Sequence, residues 1–277
     1  HFFSQICKSA FTTTSQIMKI VNACAIVLAA AAAASPSVFA EQPNCCGRFR
    51  RHRFRNRIGL DLALFVRDTP VLFVNAATRF FYGPINCWNV GLITDMSGLF
   101  ASDSEFNADI SCWDTSNVVS MDNMFEDAIA FNQDISSWNV GSVTTMDNMF
   151  SSAASFNAPI GAWNVGSVQN MRDMFSAATV FNQDISAWDV SSVTTMSGMF
   201  QGASDFNRDI SSWNLQNVRS FENMFSGATS FNQDLCDWYD TMDSNAVVSD
   251  MFQDTACFTE LDPEFTLNTR MCDQCVL

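Results

Sequence analysis

Histidine is nearly missing from this chain. His1 and His52 are the only two in 277 residues, and no lysine follows Lys19. A Ser-His-Asp or Cys-His nucleophile, a His-ligated zinc and a Schiff-base lysine are therefore closed to residues 81–277. Glycosidase chemistry needs only two acids about 5 to 9.5 Å apart. The acids here recur at a fixed step with no distinguished pair, so the chain reads as a non-enzyme.

Positive charge is scarce as well. Residues 81–277 hold four Arg (Arg172, Arg208, Arg219, Arg270) and 26 Asp or Glu, and four against 26 leaves −22. Such a surface repels phosphate backbones, which argues against nucleic acid as a partner. Long apolar runs are missing too. The Ala-rich run from Ile20 to Ala34 is 15 residues, short of the roughly 20 that span a bilayer as a helix. With Met18 and Lys19 ahead of it and "SPSVFA" closing at Ala40, it reads as a secretory signal peptide over 18–40, residues 1–17 being upstream or fragment sequence. The expected location is secreted, extracellular or at the cell surface, with no transmembrane span in the mature chain.

Cysteine usage agrees with that compartment. Of ten, Cys7 and Cys24 precede Ala40, leaving eight, an even number that suits an oxidising environment. Cys236, Cys257, Cys272 and Cys275 gather near the end and predict a disulfide-stapled C-terminal cap over 259–277. "CDQC" has no partner motif or histidine for a metal. Between signal and body lies "GRFRRHRFRNR", with six Arg from Arg48 to Arg57. It reads as a basic linker over 41–60, either a tether or a processing site.

What is abundant is repetition. Trp88, Trp113, Trp138, Trp163, Trp188, Trp213 and Trp238 are all the tryptophans, each 25 residues after the last. The same step joins Phe81 to Phe231, Ile85 to Leu235 and Met96 to Met196. A period of 20 to 50 residues means stacked units. In "VTTMSGMFQGA", Val193, Met196, Phe200 and Ala203 fall on one face of a short helix, and "DISAW" around Ile185 suits a short strand. The expected fold is an α/β repeat solenoid of short parallel strands and short helices in about seven rungs over 81–258. An N-terminal cap is expected over 61–80.

One unit alone cannot pay for its own ordering, at about 1 to 2 kcal/mol per residue against roughly 1.5 to 3 per large buried apolar side chain. Stacking at about 4.8 Å would bury Trp, Phe, Met and Ile as interior columns. The same step, inside the roughly 4.4 to 6.8 Å window for bridged Cα atoms, predicts that Cys87 and Cys112 pair. After Trp238 the pattern slips by two, placing Phe252 where the period predicts 250.

The phrase "W(D/N)VSSVTTMSGMF…FNQDIS", as at Trp188 to Ile210, resembles the BspA-like leucine-rich-repeat surface proteins. Both the Met199–Phe200 pair and the Val193-to-Met196 step recur from about Phe81 to Phe258. The resemblance implies a leucine-rich-repeat-like solenoid and a surface or secreted life, and it carries no catalytic residue. Phe and Trp stand where leucine-rich repeats prefer Leu.

Asp109, Asp134, Asp184, Asp209 and Asp234 share a register broken only by Pro159. Two readings stand. The column collects a divalent cation such as Ca²⁺, which takes oxygen ligands, or each Asp caps a turn or is solvated. No other cofactor is expected. The function expected is binding or adhesion to an extracellular protein or glycan through outward positions such as Arg172, Arg208, Arg219, Glu105 and Asp205, or, alternatively, a structural spacer or matrix component.

Overall fold

The computed structural model describes residues 54–57, 59–61 and 84–256. The signal segment 18–40, most of the expected cap over 61–80, and Cys257, Cys272 and Cys275 with the segment 259–277 lie outside them. Seven units, named by Trp88 to Trp238, follow one another, and a single-residue parallel bridge joins each to the next: Asp95 to Ser120, Ser120 to Thr145, Thr145 to Asn170, Asn170 to Thr195, Thr195 to Ser220 and Ser220 to Val247. The last step is 27 residues rather than 25. The two extra residues fall beside a 3-10 helix at Cys236–Asp240, and Phe252 still stacks on Phe225 with ring centroids 5.5 Å apart.

Neither the helix at Val193–Ala203 nor the strand at Ile185 forms. A ribbon of overlapping turns takes the helix's place, and its backbone donors show why. In the third unit Met146, Asn148, Phe150 and Ser152 donate to the carbonyls of Asn170, Arg172, Met174 and Ser176 in the fourth, at 2.7 to 3.0 Å. Met149, Ser151 and Ala153 donate three residues back, to Met146, Asn148 and Phe150. A helix would spend every such donor inside its own unit, whereas the ribbon uses alternate ones to join units. It needs a left-handed residue twice per unit. Gly98, Asn123, Asn148, Asp173, Gly198, Asn223 and Asp250 form one such column, and Ser102, Asp127, Ser152, Ala177, Gly202, Gly227 and Asp254 the other, all with φ between 50° and 74°. Gly, Asn and Asp enter that region most cheaply.

The apolar letters form columns. Within each of the first six units two Phe rings lie face to face, as Phe150 on Phe156, with centroids 3.9 Å apart. Between units the column from Phe100 to Phe252 repeats at 5.4 to 5.7 Å. Each indole from Trp113 to Trp238 donates Nε1–H to the carbonyl of the residue 28 positions earlier, at 2.9 to 3.2 Å. This satisfies a buried donor and ties neighbouring units where a strand ladder would have done so. Among the described residues no buried side-chain nitrogen or oxygen lacks a partner.

The first unit has a cover drawn from the segment that composition alone assigns to a linker. Phe54 and Leu60 are buried, and Phe54 packs on Trp88 at 5.2 Å. A stack needs its open end closed, and apolar residues set among the arginines supply the closure. Cys87, Cys112 and Cys236 are each disulfide-bonded. No cysteine lies between Cys112 and Cys236, so these cross-links sit towards the ends, where a unit has fewer neighbours.

Candidate recognition face

Beside the bridge column runs an exposed row whose letters change along the stack. Thr94, Val119, Gln169, Thr194 and Arg219 are exposed at equivalent positions, with Thr144 half-buried between them. Three residues further on come Ser97, Asp122, Asp147, Arg172, Ser197 and Glu222. Neighbouring units meet here through side chains: Ser97 Oγ lies 2.7 Å from Ser120 Oγ, Ser197 Oγ donates to Ser220 Oγ at 2.7 Å, and Thr145 Oγ1 donates to Asp122 Oδ1. The face thus has a hydrogen-bonded backbone and side chains that change between levels, with Thr94, Thr144 and Thr194 recurring and Val119, Gln169 and Arg219 between or beyond them. Arg172 and Arg219 stand on it, paired with Asp173 at 3.1 Å and Asp243 at 3.0 Å. Arg208, Glu105 and Asp205 occupy other registers. Arg208 Nε donates to the Asn182 carbonyl at 2.7 Å.

Carboxylates concentrate midway along the face. Burial pushes the Asp147 carboxyl up, Asp122 adds to that, Arg172 opposes it, and Asp173 pushes the same way as Asp122. Asp147 therefore gains when it is protonated.

The aspartates of the other column are spent on their own turns. Asp109, Asp134, Asp184, Asp209 and Asp234 each accept, through Oδ1, the N–H two residues on, at 2.9 to 3.0 Å. The Ser136 amide and then its hydroxyl hold Asp134 below the ordinary value. The hydroxyl and then the amide of Ser186 do the same for Asp184, as those of Ser191 do for Asp189. Burial pushes Asp109 up, but the Ser111 amide and hydroxyl and the Asn86 amide outweigh it. Where Pro159 replaces the Asp, Gly161 replaces the Ser, and a Cβ there would collide with the Asp184 carbonyl. Among the described residues no group of three or more His, Cys, Asp or Glu is placed to hold a metal.

These shifts have opposite signs for stability. Carboxyls lowered by folding stabilise above the ordinary value of 3.8 and lose that contribution as the pH falls through their folded values. Asp147, raised by folding, is relieved over the same descent. The melting temperature should therefore hold from neutral pH to about 5 and drop below about 4. Asp147→Asn should raise the stability at neutral pH by no more than about 1 kcal/mol after solvent screening, seen as a higher melting temperature, and the gain should vanish in acid. Melts of both proteins across pH check this; a gain that persists in acid contradicts it.

Beside the aspartates runs a ladder of side-chain amides. The N–H groups of Asn132, Asn157, Asn182, Asn207 and Asn232 donate to Oδ1 of the Asn one unit earlier, at 2.9 to 3.1 Å. Gln133, Gln183 and Gln233 donate from Nε2 to Asn107, Asn157 and Asn207. An Asn every 25 residues was the available signal.

A repeat of this kind is also what the comparison with known families finds. A family model described as "Mycoplasma protein of unknown function, DUF285" matches residues 70–179 and again 157–262. The chain belongs to the DUF285 family. Both matches cover several of the stacked units, and they overlap over residues 157–179. No curated protein and no solved structure matches the chain.

Proposed function

We propose that this DUF285 protein is a secreted or cell-surface solenoid of the leucine-rich-repeat-like kind that binds an extracellular protein or glycan along its bridge column. The observation that carries this reading is the division of labour in the repeat. The Trp, Phe, Met and Ile that recur are consumed by the stack, while Val119, Gln169 and Arg219 break a row otherwise held by Thr94, Thr144 and Thr194 and stand exposed on it. The resemblance to BspA-like surface proteins and the disulfide-bonded Cys87, Cys112 and Cys236 support an extracellular setting.

Rigid rows with varied side chains suit recognition because little ordering entropy is lost on binding. The partner is neutral or cationic, since the arginines on the row are already paired with Asp173 and Asp243. Glycan arrays and immobilised matrix proteins should be probed with the full chain and with a variant carrying Gln169→Ala, Arg172→Ala and Arg219→Ala. Binding that is lost while the melt is kept supports recognition along this row. Binding that survives the triple change rejects this row as the site, and a lack of any ligand favours the spacer role.

A further inference from the structure

A parallel stack has two different ends. Along the ribbon of turns at each internal junction the earlier unit supplies N–H groups and the later one supplies carbonyls, as Met96, Gly98, Phe100 and Ser102 donate to Ser120, Asp122, Met124 and Glu126, whereas at the bridge column the later unit donates, as Val119 N–H does to Thr94 O. On the ribbon, therefore, the first unit shows an acceptor row backwards and the last shows a donor row forwards.

Both rows can be located. In the last unit the donors equivalent to Met96, Gly98, Phe100 and Ser102 are the N–H groups of Val248, Asp250, Phe252 and Asp254, and none has an acceptor among the described residues. Asp250 and Asp254 are exposed, whereas Met251 and Phe252 are buried, so the open feature is the polar row of turns. In the first unit the row begins with the carbonyls of Asp95 and Ser97. Arg57 occupies these two, with Nη1 3.2 Å from Asp95 O and Nη2 2.7 Å from Ser97 O, while Nε faces Asp61. The Phe54 N–H adds a bond to Asn89 O at 3.1 Å. One guanidinium thus sits where a preceding unit would place two backbone donors.

We propose that the segment carrying Phe54, Arg57 and Leu60 is a plug on a self-association edge. The occupant that fits the edge is the last unit of a second copy of this chain, because its donor row, without acceptors among the described residues, matches the acceptor row of the ribbon in sign, direction and spacing. Two last units would set donors against donors along the ribbon, so the pairing that fits is head-to-tail and does not close. Arg57 is a plugging residue that keeps copies apart, one of the ways proteins blunt an open edge.

Sedimentation velocity on the oxidised full chain over a concentration series tests this, with wild type, Phe54→Ala/Arg57→Ala and the milder Arg57→Lys, whose single ammonium lacks the fork that spans two carbonyls. Wild type should stay at the mass of one protomer. The double variant should rise to about twice that mass or more with concentration, keeping its near-ultraviolet signal, and Arg57→Lys should do so less. The proposal fails if the double variant stays monomeric with its melt intact, if wild type assembles equally well, or if mass grows only as the near-ultraviolet signal is lost. Should the double variant not fold, Arg57→Lys is read by the same criteria.

Discussion

Trp163→Ala is expected to destabilise the protein by about 3 to 5 kcal/mol, the range for emptying a large aromatic site in a packed core. The ring is 4% exposed and near the middle of the stack, and its Nε1–H is bonded to the Ile135 carbonyl at 3.1 Å. Trp163→Phe separates the two contributions. It keeps most of the apolar volume and loses one donor, but Ile135 O still accepts the Trp138 N–H at 3.1 Å. Losing one of two bonds at an acceptor costs about 1 kcal/mol or less, so packing should dominate. Because each unit touches only its neighbours, the Ala variant should also weaken the coupling between the two halves. Chemical denaturation followed by hydrogen exchange reads both effects. Equal losses for Phe and Ala would mean that the indole hydrogen bond, and not the column, does the holding.

The second large effect is expected at Asn157, which looks expendable because it is polar and lies towards the surface. Its Oδ1 accepts the Asn182 N–H at 3.0 Å and Gln183 Nε2 at 2.8 Å, while its own N–H donates to Asn132 Oδ1 at 2.9 Å. Asn157→Ala strands the next unit's donor and should cost about 1 to 3 kcal/mol, more than an ordinary surface change of about 0.5. Asn157→Asp keeps the acceptor and should recover most of that loss. Urea titrations of the two variants decide it: if Asp is as damaging as Ala, the ladder is not what holds Asn157.

The interior was legible because its chemistry is repetitive. Trp at a 25-residue step, with Phe, Met and Ile in the same step, can only be buried economically in stacked units, and those columns are the core observed. Local conformation was not legible for a definite reason. Val193, Met196, Phe200 and Ala203 fit a helical face, but they fit a ribbon of turns equally well, and periodicity does not distinguish donors spent within a unit from donors spent between units. The discriminating signal lay at Gly98, Gly198 and their Asn and Asp equivalents, which tolerate positive φ. Those letters resemble ordinary loop composition until they are aligned.

The polar columns divide in the same way. The Asp column was visible as a column, but its work of accepting amides two residues on was only one of two readings of that pattern. The Asn ladder was hidden by its place next to the aspartates, although its spacing is as regular as that of the tryptophans. The role of Arg57 lay beyond sequence reasoning altogether. Six arginines in a row of eleven residues look like a solvated tether, and only the placement of Phe54 and Leu60 against the first unit brings one guanidinium onto the edge.

Stacking in a 25-residue register is the central claim, and removing a whole unit tests it most directly. A chain lacking residues 157–181 joins Phe156 to Asn182 and restores every column, so it should melt cooperatively, at a temperature slightly below that of the full chain. A chain lacking only residues 157–176 removes less but shifts every later residue by five positions, so it should show no cooperative transition. Circular dichroism melts of the two, side by side, give the answer. If the shorter deletion melts like the longer one, units do not stack in this register and the fold described here is wrong.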